Sequence, residues 1–131
     1  MANTTRISRE RCVCGTATVA EVIAGKIILP PDSAKAVIVT GGWMRAIGSA
    51  GTATSVDIKD TTTVPVVAVA IAVGALTDGA VVDFDTATNV TWTTYGVAHT
   101  KGKGLQIKQT TAAGNLSTTT AVDYVVKYIL V

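Results

Sequence analysis

Residues 118–131 read TTTAVDYVVKYILV. Taken in steps of two, they place Val122, Tyr124, Val126, Tyr128 and Leu130 on one side and Asp123, Val125, Lys127, Ile129 and Val131 on the other. Successive strand side chains point to opposite faces, so the first set is a continuous apolar ridge. A helix would scatter the same residues around its circumference, and the β-branched and aromatic content also favours a strand. The run is long beside the usual strand of about 5–6 residues. A strand of that length belongs inside a sheet, with other strands beside it or stacked on its ridge. The opposite face mixes one acid, one base and three aliphatics, so it is not expected to be fully wet.

Working back from this strand, the chain breaks into short apolar runs separated by Gly, Pro, Asp and Thr. Residues 16–29 carry Val19, Val22, Ile23, Ile27, Ile28 and Leu29, and Gly25 is expected to divide them into two extended pieces. Pro30-Pro31 ends the second piece, because proline fixes φ and removes a donor. Residues 36–40 read as a strand, Gly41-Gly42 as a turn, and 43–47 as the strand that follows. In 52–59, Val56 and Ile58 alternate with Ser55, Asp57 and Lys59 and are assigned inward. Residues 64–73 put Val67, Val69, Ile71 and Val73 against three alanines. A strand is favoured there, with a short helix as the other reading. Val82 and Phe84, then Val90 and Trp92, then Leu105 and Ile107, are further inward pairs.

About eight strands with no convincing helix is the pattern of an all-β sandwich or barrel. The expected architecture is a jelly-roll-like two-sheet sandwich over residues 16–131, preceded by an extended N-terminal arm over residues 1–15. The 131 residues suffice for one domain and one core.

Charged residues make up 15% of the chain, against about 25% in ordinary domains. A surface built from Thr and Ala carries little of the charge that keeps single domains apart. Coverage by other chains follows, with an extracellular β domain under a Thr-rich skin as the alternative. The net charge of +2 comes with no concentrated basic stripe, so no specific nucleic-acid partner is expected. No apolar run approaches the roughly 20 residues of a membrane helix, and no apolar stretch follows Arg6, Arg9 and Arg11 to make a secretory signal. Those three arginines are the candidate partner-contact residues, since guanidinium groups pair well with carboxylates on a neighbouring chain.

Catalytic and metal chemistry find little purchase. His99 is the chain's one histidine, and no serine lies in a nucleophile-elbow context. Asp83 and Asp85 share a strand face, with Asp78 and Asn89 nearby. They would serve acid–base chemistry or calcium only with burial or a fuller ligand loop. Cys12 and Cys14 with a distant His99 fall short of a four-ligand zinc set. Gly102-Lys103-Gly104 lacks the spacing of a phosphate loop. Trp43, Trp92 and Tyr95 would make a sugar platform if they were exposed together. The expectation is a non-enzymatic protein with no cofactor and no metal.

Lys26-Ile-Ile-Leu-Pro, Val-Ile-Val-Thr-Gly-Gly-Trp at 37–43, Ser-Ala-Gly-Thr-Ala-Thr-Ser-Val-Asp-Ile at 49–58 and Tyr-Val-Val-Lys-Tyr at 124–128 resemble the style of small tailed-phage virion proteins. Those are jelly-roll or sandwich modules used as capsid decoration (cement) proteins and as head-fibre or tail adhesion modules. The resemblance spans residues 16–131 and implies a structural protein of the virion exterior, often trimeric, bound to the major capsid protein. It also leaves open a receptor- or glycan-binding module of a fibre or tail. It transfers no catalytic residue.

The ridge generates a first prediction. Val126→Asp places an unpaired carboxylate in the core, a cost that exceeds what a domain of this size can absorb. Circular dichroism and solubility are expected to report loss of folding. A soluble, folded variant would show that the wrong face was assigned to the core.

Overall fold

The computed structural model describes residues 10–48, 54–85, 90–94, 97–110 and 121–131. Nine strands are formed among them: β1 (Arg11–Thr18), β2 (Lys26–Leu29), β3 (Val37–Ile47), β4 (Ser55–Asp60), β5 (Val67–Ala72), β6 (Val81–Asp83), β7 (Val90–Trp92), β8 (Leu105–Thr110) and β9 (Ala121–Leu130). One short helix, α1 (Val19–Ala24), joins β1 to β2, and a 3-10 turn, Val73–Ala75, follows β5.

Four of the strand pairings are nested antiparallel pairs: β1 with β9, β2 with β8, β3 with β6 and β4 with β5. The chain is thus one long hairpin folded back on itself. Rolling that hairpin brings β9 against β3 and β8 against β4. The result is two antiparallel sheets, ordered β1-β9-β3-β6 and β2-β8-β4-β5-β7. Setting aside β7, which adds an edge beside β5, this is the jelly-roll arrangement of eight strands in two sheets. The fold is therefore an all-β two-sheet sandwich.

Alternation along each strand builds the core. From the four-stranded sheet come Val37, Val39, Met44, Ala46, Val82, Val122, Tyr124, Val126 and Tyr128; from the other come Val56, Ile58, Val69, Ile71, Leu105 and Ile107. The apolar ridge of the last strand faces inward as its periodicity predicts, and Val126 is fully buried. Full burial of a side chain of that size contributes about 1.5–3 kcal/mol. Trp92 packs edge-on against Phe84, with ring centroids 6.1 Å apart, and donates its Nε1–H to the Phe84 carbonyl at 2.9 Å.

Three expectations are corrected. The arm does not extend to residue 15, because Arg11 to Gly15 lie in β1 and pair with Tyr128 to Tyr124 of β9. Residues 1–9 lie outside the described residues. Residues 19–24 are helical, not extended. Thr18 caps them: its Oγ1 accepts from the Glu21 amide at 3.2 Å while Glu21 Oε1 accepts from the Thr18 amide at 2.9 Å. This reciprocal capping box overrides the weak helix propensity of Val19, Val22 and Ile23, and burial of Val22 anchors the turn.

The third correction concerns Gly41-Gly42, which is no turn. The strand runs straight through it, and the register against β9 shifts between Val39 and Gly41. The pair makes a β-bulge, a frequent role of glycine inside a strand. Gly42 has φ +137°, and a Cβ there would sit 2.0 Å from the Val125 carbonyl oxygen. At Gly41 the nearest atoms to an added Cβ are side-chain atoms at 3.7 and 3.8 Å, an ordinary contact.

Adjacent glycines with opposite tolerances make a paired test. Gly42→Ala is expected to destabilise the fold by about 2 kcal/mol or more, through strain at positive φ and collision with β9. Gly41→Ala is expected to stay within about 0.5 kcal/mol. Equal effects of the two in urea unfolding would contradict the bulge geometry.

Candidate functional site

Two arrangements emerge beyond the core: a buried polar cluster at one end of the sandwich and the outer face of the four-stranded sheet.

The buried cluster begins with parity. Val56, Ile58 and Asp60 share one face of β4, so Asp60 follows two core residues inward and is fully buried. A buried carboxylate must find donors. Its Oδ1 accepts from the Thr62 amide at 3.1 Å, the Thr62 hydroxyl at 2.6 Å and the Val66 amide at 3.0 Å. Its Oδ2 meets His99 Nδ1 at 3.0 Å. The other ring nitrogen, Nε2, lies 2.9 Å from Thr94 Oγ1, which is also 3.3 Å from the Val67 carbonyl. Burial pushes the Asp60 carboxyl up, but the hydrogen bonds from Thr62, His99 and Val66 outweigh it and hold the group below the usual carboxylate range.

Carboxylate, imidazole and hydroxyl in line is the order of a hydroxyl-nucleophile triad. Catalysis by such a set requires the imidazole edge to meet a substrate's leaving group, and the His99 side chain is 1% exposed. In this structure the cluster ties chain segments together. The His99 amide donates to the Val37 carbonyl at 2.8 Å, Gly104 N–H donates to Thr61 Oγ1 at 2.9 Å, and the Gly102 amide donates to the Lys35 carbonyl at 2.9 Å. The segment before β8 is thereby fixed to the start of β3 and the end of β4.

Asp57, on the opposite face of the same strand, is also buried. It accepts from Ser55 Oγ at 2.6 Å and from Thr110 Oγ1, and Lys59 Nζ stands 3.6 Å away. The outer face of the five-stranded sheet is therefore polar around its centre.

The outer face of the four-stranded sheet differs. Its side chains line up in rows across the strands. One row runs Cys14, Val125, Trp43, Asp83. The next runs Thr16, Asp123, Arg45, Val81, and Ile38 stands opposite Ile129 in another. Ile38, Trp43, Val125 and Ile129 are half-buried; Val81 is 59% and Ile47 40% exposed. Asp83 and Lys127 are exposed on this face, while Arg45 and Asp123 pair with each other. Arg45 Nη2 and Nε donate to Asp123 Oδ2 at 2.5 and 3.2 Å, and Thr16 Oγ1 donates to Asp123 Oδ1 at 2.6 Å. The Thr16 hydrogen bond and then the Arg45 hydrogen bonds hold the Asp123 carboxyl below its ordinary range. Cys12 and Cys14 are free and exposed on this face, with Cys12 opposite Lys127.

The other sequence candidates are dispersed. Arg11 opens β1 with an exposed side chain opposite Tyr128, whereas Arg6 and Arg9 lie outside the described residues. Asp83 and Asp85 are exposed, and Asp83 Oδ1 accepts the Asp85 amide at 2.9 Å, a turn contact. Asp78 accepts from the Gly48 amide at 2.9 Å. Trp43 faces outward from β3 while Trp92 packs on the core from the other sheet, so the two do not share a platform; Tyr95 and Asn89 lie outside the described residues. Among the described residues, no group of three or more His, Cys, Asp or Glu side chains is placed to hold a metal ion.

Asp60 yields a pH prediction. A carboxyl held lower in the folded chain than in the unfolded one contributes stability that is present above the unfolded pKa, about 3.9, and lost as pH falls through the folded value. Acid unfolding below about pH 4 is therefore expected. Asp60→Asn is expected to lose about 1–3 kcal/mol at pH 7 and to unfold with a shallower acid slope than the parent. Identical acid profiles in circular dichroism would contradict this role.

Comparison of the chain with protein-family models, curated proteins and solved structures found no match.

Proposed function

We propose that the protein is a non-enzymatic structural module that works by association through the outer face of its four-stranded sheet. In the setting its sequence resembles, it is a decoration protein on the exterior of a tailed-phage capsid. It clusters as a homotrimer and clamps the major capsid protein.

The observation that carries this reading is the row of Cys14, Val125 and Trp43, flanked by exposed Val81 and Ile47 on a face whose Arg45 and Asp123 neutralise each other. Docking such a face removes apolar surface from water and desolvates Arg45 and Asp123 as a pair, with exposed Asp83 and Lys127 on the same face. Edge geometry adds support. The edge strands β2, β6 and β7 have four, three and three residues, short enough to blunt edge pairing, whereas edge strand β1 has eight. Arg11, exposed at the start of β1, is assigned with Arg6 and Arg9 to carboxylates of the neighbouring chain. The mechanism is free energy of association, with each contact burying about 1,200–2,000 Å².

Sedimentation of the full chain at tens of micromolar, roughly where weak interfaces fill, is expected to show an oligomer, most simply three chains. Val125→Lys should leave the circular dichroism unchanged and shift the protein to monomer. Co-purification with intact virions at fixed stoichiometry should be lost in the same variant. A monomeric parent protein that binds glycans on an array would overturn the reading in favour of a receptor-binding module of a fibre or tail, with outward-facing Trp43 as its contact.

A further inference from the structure

We propose that the open edge of β1 at Cys12 and Cys14 pairs with the same edge of a second copy, antiparallel and about a two-fold axis at Val13. The direction of the backbone comes first. In an antiparallel pair, alternate residues turn both N–H and C=O toward the partner, and the residues between turn both away. The Val125 carbonyl oxygen lies 2.0 Å from where a Cβ on Gly42 would stand, so it is directed at β3. Val125 is opposite Cys14, which places Cys14 among the residues of β1 turned away from β9. Two contacts of the same parity agree. The Thr16 carbonyl accepts from Lys26 Nζ at 3.0 Å, and the Thr18 amide donates to Glu21 Oε1 at 2.9 Å. The even-numbered residues of β1 therefore face the open side of the strand, which ends its sheet.

Lys26 and Glu21 close that side from Thr16 onward. Cys12 and Cys14 are exposed, and among the described residues no strand lies beside them. A second copy centred on Val13 sets Cys12 opposite its Cys14 and Cys14 opposite its Cys12, so open groups meet open groups. Sliding the copies toward Thr16 brings in a carbonyl already held by Lys26, and sliding them the other way runs off the start of the strand at Arg11. The centred register opposes no like charges, since Arg11 meets Gly15 and half-buried Val13 meets its own copy. The contact is self-complementary and closes after one step, because the other edge of the sheet, β6, has three residues. Both sheets then present their outer faces to the same side. The pairing uses the edge and not the face, so it does not rest on the docking proposed above. So short a ladder is populated where another contact holds copies at high local concentration, and in solution it is seen by covalent trapping.

The two thiols report the register. Residues of a hydrogen-bonded cross-strand pair have Cα atoms about 5.5 Å apart, within reach of a disulfide, whereas diagonal neighbours lie about 7–8 Å apart, at or beyond its limit. Full-length Cys12→Ser and Cys14→Ser proteins, one carrying a size tag, are oxidised with copper–phenanthroline in air, singly and mixed, and read on non-reducing gels. The mixed dimer is expected to form at least about fivefold faster than either homodimer, because only the mixture sets Cys12 directly opposite Cys14. Using Cys12→Pro in place of Cys12→Ser removes a donor on the open edge while leaving the ladder to β9 intact, and the advantage of the mixture should vanish. Equal rates, a faster homodimer, or an advantage that survives Cys12→Pro would overturn the proposal. Should Cys12→Pro fail to fold by circular dichroism, the comparison of mixed and single proteins decides. Docking through the face alone would give no preference for the mixture yet keep co-purification with virions, so the two readings fail separately.

Discussion

The sandwich depends on β9 being paired along both sides at once. Ala121–Leu130 runs against β1 from Thr18 to Arg11 and against β3 from Ile47 to Val37. The ends of the hairpin can meet its third strand only if β3 approaches β9 closely and then changes register. The bulge at Gly41-Gly42 provides both, and the Val125 carbonyl occupies the place a Cβ on Gly42 would take. The pairing of β1 with β9 joins residues more than one hundred positions apart, as between Thr18 and Ala121 or Arg11 and Tyr128. Closing that loop costs entropy before any contact is gained, which makes such topologies slow to fold.

Strand β4 sets the electrostatics. It is the central strand of its sheet, and Asp57 and Asp60 are buried from opposite faces of it. Each is satisfied mainly by hydroxyls and amides: Ser55 and Thr110 for one, Thr62 and Val66 for the other. Hydrogen bonds from neutral donors stabilise a buried carboxylate without a second desolvated ion. A Thr-rich, charge-poor chain is suited to this arrangement. Threonine supplies the donors while its methyl group still packs on a strand.

Much of this was legible in residues of one kind and hidden in others. Alternation placed Val122, Tyr124, Val126 and Tyr128 inward, and likewise Val56, Ile58, Val82, Phe84, Leu105 and Ile107, because a buried sheet face tolerates no one-residue slip. The buried cluster was not read from the sequence, although Asp60 falls in phase with Val56 and Ile58 and a buried carboxylate demands a partner. His99 itself sits among Gly, Thr and Lys, and no periodicity there signals burial. Helix α1 was marked by Thr18-Val-Ala-Glu21 followed by Gly25, a capping box and stop that apolar β-branched residues masked. Gly41-Gly42 read as a turn because local chemistry does not separate a turn from a bulge; only the long-range fit against β9 does.

The two outer faces divide the labour. The five-stranded sheet keeps Asp57 and Lys59 internal to its own surface, bonded to their neighbours across β4 and β8. The four-stranded sheet pairs Arg45 with Asp123, carries exposed Asp83 and Lys127, and leaves Trp43, Val125, Val81 and Ile47 to face outward. That sheet also carries β1, the long edge, with Cys12 and Cys14 turned to the same side. An isolated domain gains little by collecting apolar rows, free thiols and its longest open edge on one surface, since each invites association. A module whose partners are other protein chains gains specificity from the same placement. In the association proposed above, the Arg45–Asp123 pair would be desolvated together rather than as separate ions, and the surrounding rows would supply apolar area.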